Sequence, residues 1–111
     1  MSQPAEEKKN VSCVDTCKKC AEVCDDCFKC CKDDKEPSAC MKTCATCSHL
    51  CAACAAAYEA NSPLAPEICK LCEQMCKECA ALCAKSKKAC CVKCAKMCLE
   101  CSKACAAARG K

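Results

Sequence analysis

The 23 cysteines of this chain obey a spacing rule that leaves few folds open. Cys13, Cys17, Cys20, Cys24, Cys27 and Cys31 are separated by alternating steps of four and three residues, and so are Cys40, Cys44, Cys47, Cys51 and Cys54. Cys69, Cys72, Cys76, Cys79 and Cys83 run three, four, three, four, as do Cys91, Cys94, Cys98, Cys101 and Cys105. Only Cys30 and Cys90 stand outside the rule. Alternating threes and fours average 3.5 residues, the repeat of a helix seam buried against near-parallel neighbours. Cys stands where such a seam normally carries Leu or Ile. The spacing therefore predicts four helices that turn nearly all their thiols into one shared interior.

Breaks between the Cys runs set the helix ends. Residues 1–9 read as a flexible polar tail, and residues 10–111 as a single domain with helices over about 10–33, 37–60, 64–85 and 87–108. Pro37 suits the first turn of the second helix, and Pro63 or Pro66 that of the third. Lys85-Ser86-Lys87-Lys88 is the only signal between the last two, with Ser86 as a candidate N-cap. One continuous helix of about 45 residues is the alternative there, but such length is rare in a small soluble domain, so a break is expected. A helix of about 22 residues is roughly 33 Å long, and four joined by short connections pack up-down-up-down. The expected fold is an all-α, antiparallel four-helix bundle with a Cys-lined core. A thin apolar stripe beside the seam, Val14, Ala21 and Phe28 on the first helix and Ile68, Leu71, Met75 and Leu82 on the third, is expected to pack helix flanks or a subunit contact.

Composition agrees with helix and excludes several functions. There is one Phe, one Tyr, no Trp and a single Gly, so the high apolar fraction is mostly Cys and Ala. The net charge of +4 is weak, no basic block stands out, and almost no aromatic ring is present to stack on bases, which argues against nucleic acid. No apolar run approaches the ~20 residues that a membrane span requires. The polar start, Met1 to Lys9, lacks the apolar stretch of a secretory signal, so a cytoplasmic location with reduced thiols is expected. No single thiol is set apart beside a base, so no enzyme is expected.

So many core thiols ask for an occupant. Thiols are smaller than Leu, and a bundle cored with them alone is underfilled and weakly stabilised. A disulfide scaffold fits poorly with an odd count, a reducing compartment and seam geometry. Metal fits well, because cysteines three or four apart on a helix have Cβ atoms about 5–6 Å apart and converge on one ion with small rotamer changes. Charge selects the metal. Cu(I) replaces a thiol proton with the same charge, whereas a tetrathiolate zinc site is doubly negative and costly in a core without cations. Thiolates also select Cu(I) by softness. Iron–sulfur clusters need one compact set of four thiolates rather than a ladder. Metallothioneins share the Cys content, but their Cys-x-Cys spacing is absent. The expectation is storage of multiple Cu(I) ions, roughly one per Cys; a copper delivery chaperone and a zinc or cadmium sink are the alternatives.

The residues resemble the bacterial cytosolic copper storage proteins. The likeness covers nearly the whole chain after the tail. It is closest over Asn61-Ser62-Pro63-Leu64, Glu67-Ile68-Cys69-Lys70-Leu71-Cys72 and on to Cys105, and in the run Cys13 to Cys27 with Phe28. It implies a four-helix bundle, a homotetramer, filled with Cu(I) bound mainly by the seam cysteines. This chain departs from the pattern where relatives often carry a His-rich turn, here Lys85-Ser86-Lys87-Lys88, and in bearing Cys at positions 30, 44, 54 and 90, which suggests a higher capacity.

An antiparallel bundle brings Cys30, Cys31, Cys40, Cys83, Cys90 and Cys91 to one end, with Met41 nearby as a possible ligand where copper enters. At the other end Tyr58 continues the seam after Cys54, and with Leu64 it is expected to plug the bundle opposite Ile68. His49 lies off the seam and reads as a surface residue. Met75 and Met97 neighbour seam cysteines and read as packing groups.

Overall fold

The structure is a computed structural model and describes residues 4–35 and 39–109. Four helices follow in order: α1 Pro4–Cys31, α2 Met41–Glu59, α3 Ala65–Cys83 and α4 Ala89–Ala108. Helix α1 packs on α2 and α4, and α3 packs on the same two, so chain neighbours are also space neighbours. Sulfur contacts fix the directions. From Cys17 to Cys24 to Cys31 along α1, the partner on α4 falls from Cys101 to Cys98 to Cys91, so α1 and α4 are antiparallel. Across the diagonal, Cys44, Cys47 and Cys51 of α2 meet Cys94, Cys98 and Cys101 of α4 in rising order, so these two run parallel. The result is the expected up-down-up-down bundle.

Helix ends differ from the expected bounds for local reasons. Helix α1 begins at Pro4 instead of near residue 10. Proline is preorganised for a first helical turn, and Ala5, Glu6, Glu7, Lys8 and Lys9 are strong helix formers with the acids at the favourable end. The tail therefore continues α1. Helix α2 starts only at Met41, with Cys40 as its N-cap, and Pro37 lies outside the described residues. Pro66 does occupy the first turn of α3. Ser86 does not cap α4: Lys88 holds the N-cap position with extended backbone, and the Lys88 N–H donates to Ser86 Oγ at 3.1 Å. The extended Lys88 interrupts the 3.6-residue winding, so α3 and α4 are separate helices.

The α2–α3 turn is closed by backbone bonds. Asn61 takes a left-handed conformation (φ 54°), the Ser62 N–H donates to the Ala57 carbonyl at 2.9 Å, and the Asn61 N–H to the Tyr58 carbonyl at 3.2 Å. This is the paired helix ending that a residue with positive φ makes possible. Small residues let the helices approach closely: Ala55, Ala57, Ala65 and Ala80 are buried. Ser48 Oγ donates to the Ala21 carbonyl at 2.8 Å, a polar tie from α2 to α1. Of the apolar stripe, Val14, Ala21, Phe28, Ile68, Met75 and Leu82 pack against the core, whereas Leu71 is 54% exposed.

Asn61 tests the turn. Left-handed backbone costs most side chains about 1–2 kcal/mol, a cost that Gly escapes. Asn61→Ala should lower stability by about 1 kcal/mol in urea denaturation, with Asn61→Gly within a few tenths of the parent.

Candidate metal centre

Each helix contributes one stripe of thiols, and the four stripes meet on the bundle axis. All the seam cysteines, from Cys13 to Cys105, are at most 1% exposed. Neighbouring sulfurs stand 3.6–4.0 Å apart along the column, for example Cys17 to Cys101 at 3.6 Å and Cys47 to Cys98 at 4.0 Å. Within a helix, sulfurs four residues apart also touch, as in Cys20 to Cys24 and Cys47 to Cys51 at 3.8 Å. Overlapping groups of four fill the axis. Cys13, Cys54, Cys69 and Cys105 form one, Cys20, Cys51, Cys76 and Cys101 another, and Cys24, Cys79, Cys94 and Cys98 a third, with all sulfurs in a group within 4.8 Å of one another.

Such spacing suits soft metal ions. With a metal–sulfur bond of about 2.3 Å, two sulfurs on one ion sit about 3.8 Å apart in tetrahedral, 4.0 Å in trigonal and 4.6 Å in linear geometry. The column thus accepts trigonal or tetrahedral ions with shifts of about a few tenths of an ångström, whereas a linear ion requires two sulfurs to part by roughly 0.6–1.0 Å. Every sulfur has several neighbours, so one thiolate is able to bridge ions. Electrostatics narrow the choice. Among the described residues Ser102 is the only polar or charged residue buried as a whole, and no buried Lys, Arg or His stands ready to balance excess thiolate charge.

In the metal-free column the thiols divide: hydrogen bonds from neighbouring thiols lower some, among them Cys47, Cys79 and Cys101, while others are raised. Burial pushes the Cys27 and Cys40 thiols up from their ordinary value. In the middle, hydrogen bonds from neighbouring thiols and then burial push Cys24 and Cys76 up. At the α2–α3 end, burial and the adjacent Cys69 thiol likewise raise Tyr58.

The two ends differ. Cys31 Sγ lies 3.7 Å from Cys91 Sγ and 4.0 Å from Cys90 Sγ, and Cys40 Sγ lies 3.7 Å from Cys91 Sγ. The expected end cluster is therefore assembled, with Met41 half-buried against it. Cys30 and Cys90, expected from the sequence as metal-binding thiols, are joined here as a disulfide. Seam geometry disfavours a disulfide, but these two residues lie off the seam, on facing helix ends where their sulfurs meet. Among the described residues none of the seam cysteines is disulfide-bonded. The offset was visible in the doublets Cys30-Cys31 and Cys90-Cys91, in which only one member can face the axis. At the opposite end Tyr58 packs on the core with its hydroxyl buried, but Leu64 is 56% exposed and does not plug the bundle. As the residue preceding α3, Leu64 is carried outward by the turn. His49 is exposed, and Met75 and Met97 lie at the flanks of the core.

Cysteine-filled bundles of this kind have known relatives. A family model described as Csp, copper storage protein, matches residues 6–110. The chain belongs to the copper storage protein family. Copper storage protein 3 of Bacillus subtilis in its apo form superposes with a TM-score of 0.84 at 31% identity, covering 88% of this chain and 96% of that one. The Cu(I)-bound copper storage protein BsCsp3 gives a TM-score of 0.87 at 30% identity, covering 92% of this chain and 99% of that one. No curated protein matches the sequence. The copper storage family is not an enzyme family. Sequence reasoning also missed two ion pairs that tie the ends of this family member: Lys88 with Asp34 at one, and Arg109 with Glu73, itself paired to Lys77 at 2.9 Å, at the other.

Raised thiols have a measurable consequence. A folded state that holds protons beyond the unfolded thiol value, 9.0 for Cys27 and Cys40, keeps its stability below that pH and loses it as pH rises further. Metal-free protein should therefore show falling urea midpoints above pH ~9, with the metal-loaded form unaffected over the same range because its thiolates carry metal instead of protons.

Proposed function

We infer that this chain stores Cu(I), holding many ions along the axis of the bundle at roughly one per cysteine. One observation carries the reading: a continuous column of buried sulfurs in contact, with no buried cation beside it among the described residues. Exchange of a proton for Cu(I) leaves such a column neutral at any degree of filling. Zinc at four thiolates per ion would bury two negative charges per site. Membership in the copper storage family and the Cu(I)-bound relative support the same choice. The ligands are the seam cysteines, joined by Cys30 and Cys90 when these are reduced.

Copper enters at the end that bears Cys30, Cys90 and Met41. Support comes from exposure: Cys30 is exposed and Cys90 half-buried, whereas the opposite end is covered by Tyr58. The protein acts as a passive reservoir without catalysis. We place it in the cytoplasm, where low-molecular-weight thiols keep the column reduced. Among the described residues no helix is long and apolar enough to cross a membrane. A homotetramer accounts for the apolar side chains left outside, Leu71 on α3 and Val92 with Leu99 one heptad apart on α4.

Anaerobic titration of the fully reduced protein with Cu(I) should saturate near one ion per thiol. Saturation at about four or five ions would instead indicate tetrathiolate sites of the zinc type and overturn the reading. Loading should also raise Tm by more than about 10 °C, since ions that bind only the folded column stabilise it by mass action. Equal melting of the empty and loaded forms would contradict storage in the folded interior.

A further inference from the structure

The two cysteines outside the column differ from the rest in reach as well as in bonding. Seam thiols are sealed at 0–1% exposure, so a dissolved reagent meets Cys30 first and the half-buried Cys90 second. Their bridge crosses from the last turn of α1 to the first turn of α4, between residues separated by 60 positions. Beneath it lies the first layer of the column, with Cys90 Sγ 4.0 Å from Cys31 Sγ and Cys31 Sγ 3.7 Å from Cys91 Sγ. Lys88 reinforces the closure: its Nζ donates to the Cys30 carbonyl at 3.0 Å and pairs with Asp34. A covalent bond and an ionic clasp thus tie together the two helix ends that copper would pass.

We propose that Cys30 and Cys90 form a thiol–disulfide exchange site, read by low-molecular-weight thiols, that sets how fast copper enters the column. The proposal rests on the reading that copper enters at this end. In the oxidised state the sulfurs are bonded to each other and offer no thiolate to an arriving ion. Once reduced they add two ligands at the surface, one of them within bridging distance of Cys31.

The chemistry balances with a dissolved thiol as reductant. A thiolate attacks the exposed Cys30 Sγ, the S–S bond breaks, and its electron pair leaves on Cys90 Sγ, which takes up a proton. A second thiolate attacks the added sulfur, forming the low-molecular-weight disulfide and releasing Cys30 as a thiolate, which is protonated or takes Cu(I). Two small thiols are oxidised and one protein disulfide is reduced. Buried seam thiols take no part, because neither attacking group reaches them.

Stopped-flow transfer of Cu(I) from a coloured bicinchoninate complex tests this on the whole protein. Metal-free protein is prepared fully reduced, or treated with one equivalent of diamide, and its bonds are mapped by alkylation and mass spectrometry. Diamide should join Cys30 to Cys90 alone, and the oxidised protein should load about tenfold or more slowly, since copper must then wait for local opening of the end. Added dithiothreitol should restore the rate. The double variant Cys30→Ser/Cys90→Ser should load more slowly than reduced parent protein, retain most of its capacity and ignore diamide. Equal rates for oxidised and reduced parent protein, or bonds formed among seam cysteines instead, would overturn the exchange site. Equal rates for the reduced parent and the double variant would overturn copper entering at this end, so the two failures are distinguishable.

Discussion

Contact between buried sulfurs governs this bundle. Leu in the seam would hold neighbouring helices apart and fill the axis with hydrocarbon. Cys reaches only as far as Sγ, so the helices must approach until sulfurs meet at 3.6–4.0 Å. That approach requires small side chains at the interfaces, which Ala55 and Ala80 supply, and tolerates a polar tie such as Ser48 to the Ala21 carbonyl. Thiols are weak donors and acceptors that behave largely as small apolar groups, so the metal-free core gains little beyond burial. Strong helix formers on the outside compensate in part, and exposed surface ion pairs such as Lys29 with Asp25 at 3.0 Å add little. The remainder falls to what the thiols bind, which makes the cargo part of the fold.

Charge follows from the same geometry. A column with no room for a Leu has none for a Lys or Arg, and among the described residues those side chains lie outside the core. Excess negative charge inside would therefore be balanced only from a distance. An ion that exchanges one for one with protons leaves the electrostatics of the interior nearly constant from empty to full, and intermediate loadings then cost no more than the end states. A reservoir needs that property, because it works at every degree of filling.

Much of this was legible in the spacing of one residue type. A 3.5-residue period of Cys over four segments specifies helices, their inward faces and their number, and the antiparallel order follows from short connections. The break between α3 and α4 was weaker in sequence, because Lys85 to Lys88 carries no Pro or Gly; the extended backbone at Lys88 decides it. Pattern reasoning failed where local chemistry acts on single residues. Pro4 starts α1 because proline at a first turn is favourable wherever the seam begins. Leu64 and Leu71 looked like core-facing residues by type, but a turn and an outer helix face expose them. Cys30 and Cys90 were visibly off the seam, yet their identity with the other cysteines hid their different use. Their pairing depends on the facing of two helix ends that lie 60 residues apart in the chain.

The asymmetry between the ends ties these observations together. A sealed column would be stable and useless, and a fully open one would expose every thiol to oxidation. Here the end capped by Tyr58 has no exposed thiol, and its tyrosine hydroxyl is buried without a conventional hydrogen-bond partner, a cost that a purely structural cap such as Leu would avoid. At the other end an exposed cysteine pair shields the first layer of sulfurs, Cys31, Cys40 and Cys91, while staying open to exchange. The Cys30–Cys90 bond joins two residues that lie outside the column, and the seam cysteines are not disulfide-bonded. The most exposed of the described cysteines are therefore the two that lie outside the column.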